Sequence, residues 1–170
     1  MLQTAIFTIF PFCMAFAAIS DSLSMTISNR ISILLAGSFL VIAPLTGMDW
    51  TTFGWHLAAG MLVLVATFGL FAIGGMGGGD AKLLASTAVW MGFGMVLLQY
   101  LVYATLVGGL LTLVIVLYRK SPLAVMTGHF PVLKHFANEK VGVPYGVALA
   151  IGGLGAFPSS ALCQWALTQV

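Results

Sequence analysis

The chain has 170 residues, of which 61% are hydrophobic and only 6% are charged, and its mean hydropathy is +1.11. Soluble domains carry about 25% charged residues, so this composition excludes a soluble globular protein and predicts one all-α domain, residues 1–170, that crosses the membrane several times. A net charge of +2, carried by dispersed residues, does not favour nucleic-acid binding. The two cysteines, Cys13 and Cys163, form no Cys-x-x-Cys pair, which favours core residues over a zinc or redox module.

Apolar stretches predict the first three membrane spans. The first is Leu2–Ile19, and because no basic residue precedes it, we interpret it as an uncleaved span rather than a signal peptide. A polar loop from Asp21 to Arg30 follows. The second and third spans are Ile31–Thr46 and Trp55–Ile73, joined by a loop with interfacial tryptophan.

The next apolar block, Leu83–Tyr118, is too long for one crossing. As a single helix it would extend about 54 Å, nearly twice the roughly 30 Å thickness of the hydrocarbon core. It therefore folds back into spans four and five, and we expect the reversal near Gln99-Tyr100, although no proline or strong turn signal marks it. The last span is Val143–Leu162, which Pro158 kinks or ends.

About six spans would place all six basic residues on one face of the membrane and only Asp49 on the other: Arg30, Lys82, Arg119, Lys120, Lys134 and Lys140. The positive-inside rule makes the basic face cytoplasmic and puts both termini on the outer, periplasmic face. If Leu83–Tyr118 were one span, the basic residues from Arg119 onward would fall outside. The charge pattern thus supports the reversal independently of helix length.

A glycine-rich run precedes one of only four acidic residues. Residues 74–79 read Gly-Gly-Met-Gly-Gly-Gly, and Asp80-Ala81-Lys82 follow. Backbone without side chains is tolerated in lipid only where it is buried in protein or faces a watery cavity. Two interpretations stay open: the glycines let a substrate backbone approach the carboxylate, or the run is a turn whose Asp80 caps the next helix.

Asp21 and Asp80 both lie at the cytoplasmic ends of predicted spans, so helix packing can bring them together. Two carboxylates in one site do not easily both ionise, and such a pair can activate a water as general base and protonate a leaving amide nitrogen as general acid. That is the chemistry of an aspartic protease. The alternative is a pair of interfacial acids that cap helices or pair with Lys82 and Arg30.

The motif itself resembles a known family at three points. Gly77-Gly78-Gly79-Asp80 is similar to the Gly-x-Gly-Asp motif of polytopic aspartyl proteases, and Gly75–Leu84 with the following Trp90-Met91-Gly92 resembles the type IV prepilin peptidase family. Asp21 and the later Ile27-Ser28-Asn29 resemble the first catalytic aspartate of that family and its Ile-Pro-Asn loop, with serine in place of proline. The family's basic residues just after this aspartate are replaced here by Ser22, Leu23 and Ser24. Val143–Ala150 resembles the start of the family's last span.

This resemblance implies a membrane aspartyl endopeptidase of the bacterial inner membrane, with Asp21 and Asp80 as the catalytic pair on the cytoplasmic side. Its substrate would be a prepilin whose apolar helix lies in the bilayer and whose short basic leader is removed after a glycine, as in type IV pilus assembly and protein secretion. The motif residues beside the pair would be Gly77, Gly78, Gly79, Lys82 and Asn29. The absence of a paired-cysteine region implies the short, Flp-type form, which needs no cofactor and has no methyltransferase activity.

Three histidines, His56, His129 and His135, do not form a set of metal ligands at helical spacing, so no metal is expected. Lys82 either orients Asp80 or extends to the membrane interface. Two other classes remain as alternatives: a small transporter or channel subunit, which would need ionisable groups near the bilayer midplane, and a non-catalytic assembly subunit of a pilus or secretion system. The sequence leaves a homo-oligomer open.

Overall fold

The computed structural model describes residues 1–122 and 142–169, and every regular element in these ranges is helical. The predicted all-α class is therefore confirmed for this part of the chain. In order, the helices are α1 (Leu2–Ser24), α2 (Asn29–Leu45), α3 (Trp50–Ala72), α4 (Gly78–Met91), α5 (Met95–Lys120), α6 (Tyr145–Ala156) and α7 (Ala161–Thr168), with a 3-10 turn, Phe157–Ser159, between the last two.

Three of these helices, α1, α3 and α5, are long and apolar enough to cross a membrane. The pair α6 and α7 forms a fourth candidate span that is bent by 47°. The bend lies between Ser159 and Ala161, just after Pro158, where the sequence predicts a kink or an end of the span. A proline removes a helical hydrogen bond and crowds the preceding turn. Helix α2 is apolar but has only 17 residues.

Helix α4 is the central element, packed against α2, α3 and α6. Most of its residues from Leu83 to Met91 are buried, which places this part of α4 in the interior of the bundle. The Trp90 side chain is fully buried and donates a hydrogen bond from Nε1 to the Leu35 carbonyl oxygen of α2 (2.8 Å). Its ring also contacts those of Phe10 in α1 and Phe157 after α6.

The predicted reversal near Gln99-Tyr100 is wrong. The chain turns at residues 92–94, between α4 and α5, and both positions are continuous helix in α5. Gly92 has φ of 72° and Gly94 has φ of 148°, conformations that L residues with a side chain rarely adopt. The Gly-Phe-Gly sequence was therefore the turn signal, hidden within an uninterrupted apolar block.

Two predicted span boundaries also shift. Helix α1 extends to Ser24 rather than ending at Ile19, and the hydroxyls of Ser22 and Ser24 donate to carbonyls of their own helix (2.8 and 2.7 Å). Helix α3 begins at Trp50 because Asp49 caps it, accepting a hydrogen bond from the Thr52 amide (2.8 Å).

Contacts between helix ends define two ends of the bundle. At the first, here called the acid end, Asp21 of α1 contacts Gly146 of α6, and Gly79 of α4 lies against Ile27. At the opposite end, the Gln3 side chain donates to the Gln169 carbonyl (2.7 Å). Four basic residues belong to helix termini at the acid end: Arg30, Lys82, Arg119 and Lys120. The predicted loop residues Lys134 and Lys140 lie outside the described residues.

Candidate active site

Asp21 lies in the last turn of α1 and not in a loop as predicted, and its side chain is only 5% exposed. Its Oδ2 accepts a hydrogen bond of 2.6 Å from the backbone N–H of Gly146, at the start of α6. After Asp21 the helix ends at Ser24, and the left-handed conformation of its C-cap, Met25 (φ 51°), turns the chain back toward α2. This turn brings Ile27 over the carboxylate, where its side chain is buried.

Gly146 approaches Asp21 so closely that a side chain would not fit. A Cβ atom at this position would lie 2.7 Å from Cδ1 of Ile27 and 2.9 Å from both Cβ and Oδ2 of Asp21. Glycine therefore allows the backbone of α6 to serve as the hydrogen-bond donor that holds the carboxylate. Sequence reasoning matched the stretch around Gly146 to the start of a span but assigned the glycine no role.

Asp80 lies in the first turn of α4, immediately after the glycine run. Gly77 is the N-cap of this helix, and a Cβ there would be 2.8 Å from Oδ2 of Asp80, so the carboxylate folds back over a residue that has no side chain. Oδ1 of Asp80 is buried and has no hydrogen-bond partner among the residues that the structure describes. A buried acceptor without a donor destabilises the folded protein, and such a group is typically one that binds a ligand, a water or a proton.

The structure brings the two acids to one cavity of about 270 Å³ at the acid end. Asp21 and the turn after it form one wall, and Asp80 with the glycine run forms the other. Gly79 lets these walls approach, because its Cβ would lie 3.2 Å from Cβ of Ile27. The lining residues are Asp21, Met25, Thr26, Ile27, Gly77, Gly78, Gly79 and Asp80.

Asp80 lies outside the candidate spans, and the pKa of its carboxyl is raised. Burial, together with the negative charge of Asp21, raises the pKa of its carboxyl from 3.8 to about 6. A carboxyl whose pKa is raised toward neutrality gains and loses a proton more readily near physiological pH than an ordinary aspartate does.

The other predicted motif residues lie around this cavity or beside it. A Cβ at Gly78 would be 3.3 Å from the Phe71 ring of α3, so this glycine serves helix packing as well. Lys82 is exposed and its amine donates to Oδ1 of Asn29 (2.9 Å), which links α4 to α2. Lys82 thus contacts the neighbouring helix rather than lying over Asp80.

Neither a metal site nor a reactive histidine is seen in the part of the chain that the structure describes. No group of three or more His, Cys, Asp or Glu side chains there is arranged to hold a metal ion. His56 is buried, its Nδ1 lies 2.7 Å from the Val89 carbonyl oxygen, and its ring stacks on Phe39. Cys13 and Cys163 are buried free thiols. His129 and His135 lie outside the described residues.

The described residues form apolar helices, several of them of membrane length, and two carboxylates lie at one end of the bundle. These features define the broad class of the protein, that of membrane proteins with a buried acidic site. Its family follows from the sequence: the type IV leader peptidase family matches residues 8–117, so the chain belongs to that family. The predicted resemblance is confirmed, and both acids lie within the matched range. No curated protein and no solved structure matches the chain. The protein is therefore a leader peptidase-like membrane protease.

Proposed function

We propose that this protein is an aspartyl endopeptidase that removes the leader of type IV prepilins, with Asp21 and Asp80 as the catalytic pair. One observation carries the proposal: two carboxylates that are distant in sequence border a single cavity at one end of the bundle. The family membership supports a leader peptidase, and the raised pKa of Asp80 supports acid–base chemistry between the two groups.

In this mechanism the two carboxyl groups share one proton. The ionised carboxylate takes a proton from a water as that water attacks the carbonyl carbon of the scissile bond, and the protonated carboxyl stabilises the developing oxyanion. Proton transfer to the amide nitrogen then lets the C–N bond break, which releases the leader as an acid and the mature chain as an amine. The Gly146 amide keeps the Asp21 carboxylate oriented throughout.

The distribution of charge supports a cytoplasmic site in an inner membrane. Arg30, Lys82, Arg119 and Lys120 belong to helix termini at the same end as the acids, while Asp49 caps a helix at the other end. Under the positive-inside rule the acid end faces the cytoplasm. With α2 and the part of α4 from Leu83 onward counted as crossings, about six spans put both termini on the periplasmic face. A basic leader on the cytoplasmic side would then reach the pair directly.

The test is conversion of each acid to its amide. Asp21→Asn and Asp80→Asn keep nearly the same shape, and the amide oxygen introduced at position 21 can still accept the Gly146 hydrogen bond, so both variants should fold and insert. Neither should process a prepilin that has a basic leader ending in glycine. Asp49→Asn is the matched control, because Asp49 is an exposed helix cap at the opposite end. Processing by either acid variant at the control rate would refute the proposal and favour a non-catalytic subunit.

A further inference from the structure

Two apolar grooves lie on the outside of the helix bundle, and only one of them reaches an acid. The α2–α3 groove, about 660 Å³, lies over α4 and includes Leu40, Leu57 and Leu64. The α3–α5 cleft, about 650 Å³, is bounded by α3 on one side and α5 on the other, with α4 and α6 forming its floor. Asp80 lines the α3–α5 cleft, whereas neither Asp21 nor Asp80 lines the α2–α3 groove.

The α3–α5 cleft adjoins the acid cavity. Gly77 and Asp80 line both spaces, so the carboxylate stands at their junction. Three glycines, Gly74, Gly75 and Gly77, form the edge of the cleft at this end together with Met76. A second backbone can come close to the three glycines, because they have no Cβ atoms.

The side chains that line the cleft along its length are mainly apolar. Leu70 of α3 and Leu101 of α5 line it. Its two threonines, Thr67 and Thr105, donate their hydroxyls to carbonyls of their own helices (2.7 and 2.8 Å), so they present mainly methyl groups. Ala104 adds a small residue, and small residues favour close helix packing in lipid. This lining suits an apolar helix better than a polar solute.

We propose that the α3–α5 cleft holds the apolar helix of the substrate, and that the unwound end of this helix passes the glycine edge into the acid cavity. The inference rests on the proposed function, since it takes a prepilin as the occupant. It adds the place where the substrate helix docks. It also gives Oδ1 of Asp80, which has no partner within the described ranges, a hydrogen bond from the arriving peptide or its attacking water.

Site-directed photocrosslinking tests where the helix lies. A benzoyl-phenylalanine is placed at Leu70 in the α3–α5 cleft or at Leu40 in the α2–α3 groove, each in an Asp80→Asn protein so that the peptide is not consumed. The two leucines are a matched pair, 48% and 47% exposed. The peptide is a synthetic prepilin with a basic leader, a glycine and an apolar helix of about 20 residues, in phosphatidylethanolamine–phosphatidylglycerol vesicles. We expect peptide adducts from position 70 and few from position 40. Adducts only from position 40, or only lipid adducts from position 70, would overturn the proposal.

A kinetic experiment separates failure of the docking site from failure of the proposed function. Thr105→Trp fills the cleft, and its matched control, Leu106→Trp, changes the next residue, which is 66% exposed and does not line the cleft. We expect Thr105→Trp to lower kcat/KM about tenfold or more, mainly through KM, because it removes ground-state binding. Normal cleavage by Thr105→Trp while Asp80→Asn is inactive would reject the docking site alone. Cleavage by Asp80→Asn would reject the proposed function.

Discussion

Gly146→Ala is the most direct test of how the site is held together. The alanine Cβ would lie 2.9 Å from Oδ2 of Asp21, whereas ordinary van der Waals contact begins near 3.4 Å. Because the Gly146 amide is also the donor to this oxygen, the carboxylate cannot move away without weakening a hydrogen bond of 2.6 Å. The substitution therefore displaces Asp21 by a few tenths of an ångström or separates α6 from α1.

The effects on stability and on catalysis are both large enough to measure. Overpacking of a buried site costs typically about 1–3 kcal/mol of stability. A displacement of about 1 Å at a catalytic group can lower the rate about 100-fold, so a smaller shift of Asp21 should lower kcat about 10-fold to 100-fold. We therefore expect a folded protein with a modestly lower melting temperature and a much larger loss of prepilin cleavage.

Two assays separate these effects. Cleavage of a prepilin in vesicles measures catalysis, and thermal unfolding in detergent measures stability. Gly109→Ala is the control, because a Cβ at this helical glycine of α5 meets nothing within 4 Å. Adding Ile27→Val to Gly146→Ala removes the Cδ1 atom that would be 2.7 Å from the new methyl group, and should restore stability more than cleavage. Wild-type cleavage by Gly146→Ala would refute the role assigned to this glycine.

Three further predictions concern the remaining contacts. The pKa of Asp80 rises from 3.8 to about 6 on folding, so the contribution of this group to the free energy of unfolding falls as pH rises from about 4 to about 6. Asp80→Asn should therefore raise the melting temperature relative to wild type more at pH 7 than at pH 4. An equal increase at the two pH values would contradict this prediction. Gly152→Ala would place a Cβ 2.7 Å from the Ala104 backbone nitrogen, and because backbone yields little, thermal unfolding should show α5–α6 packing destabilised by about 1–3 kcal/mol. Lys82→Met breaks an exposed hydrogen bond to Asn29, and kcat should stay within about threefold of wild type; a loss as large as that of Asp80→Asn would instead give Lys82 a direct part in catalysis.

Local features of the sequence explain which helices and bends could be predicted from it. Long apolar stretches predicted α1, α3 and α5, since lipid admits only backbone whose polar groups are satisfied within the segment. Pro158 predicted the bend before α7 for a similarly local reason. The Gly92–Gly94 turn was missed because its apolar neighbours hide it from hydropathy, and the positive φ angles that require glycine are visible only in the structure.

The amino-acid sequence by itself determined that this is a membrane protein of the type IV leader peptidase family, and it singled out Asp21 and Asp80 among the few acids. These are properties of composition and of short motifs, which need no knowledge of packing. Only the tertiary structure decided that the two carboxylates line one cavity and that Gly146 donates a hydrogen bond to Asp21 from a residue 125 positions away. Such contacts depend on how α1, α4 and α6 pack, and packing is set by the fit of whole helix surfaces rather than by any one stretch of the chain.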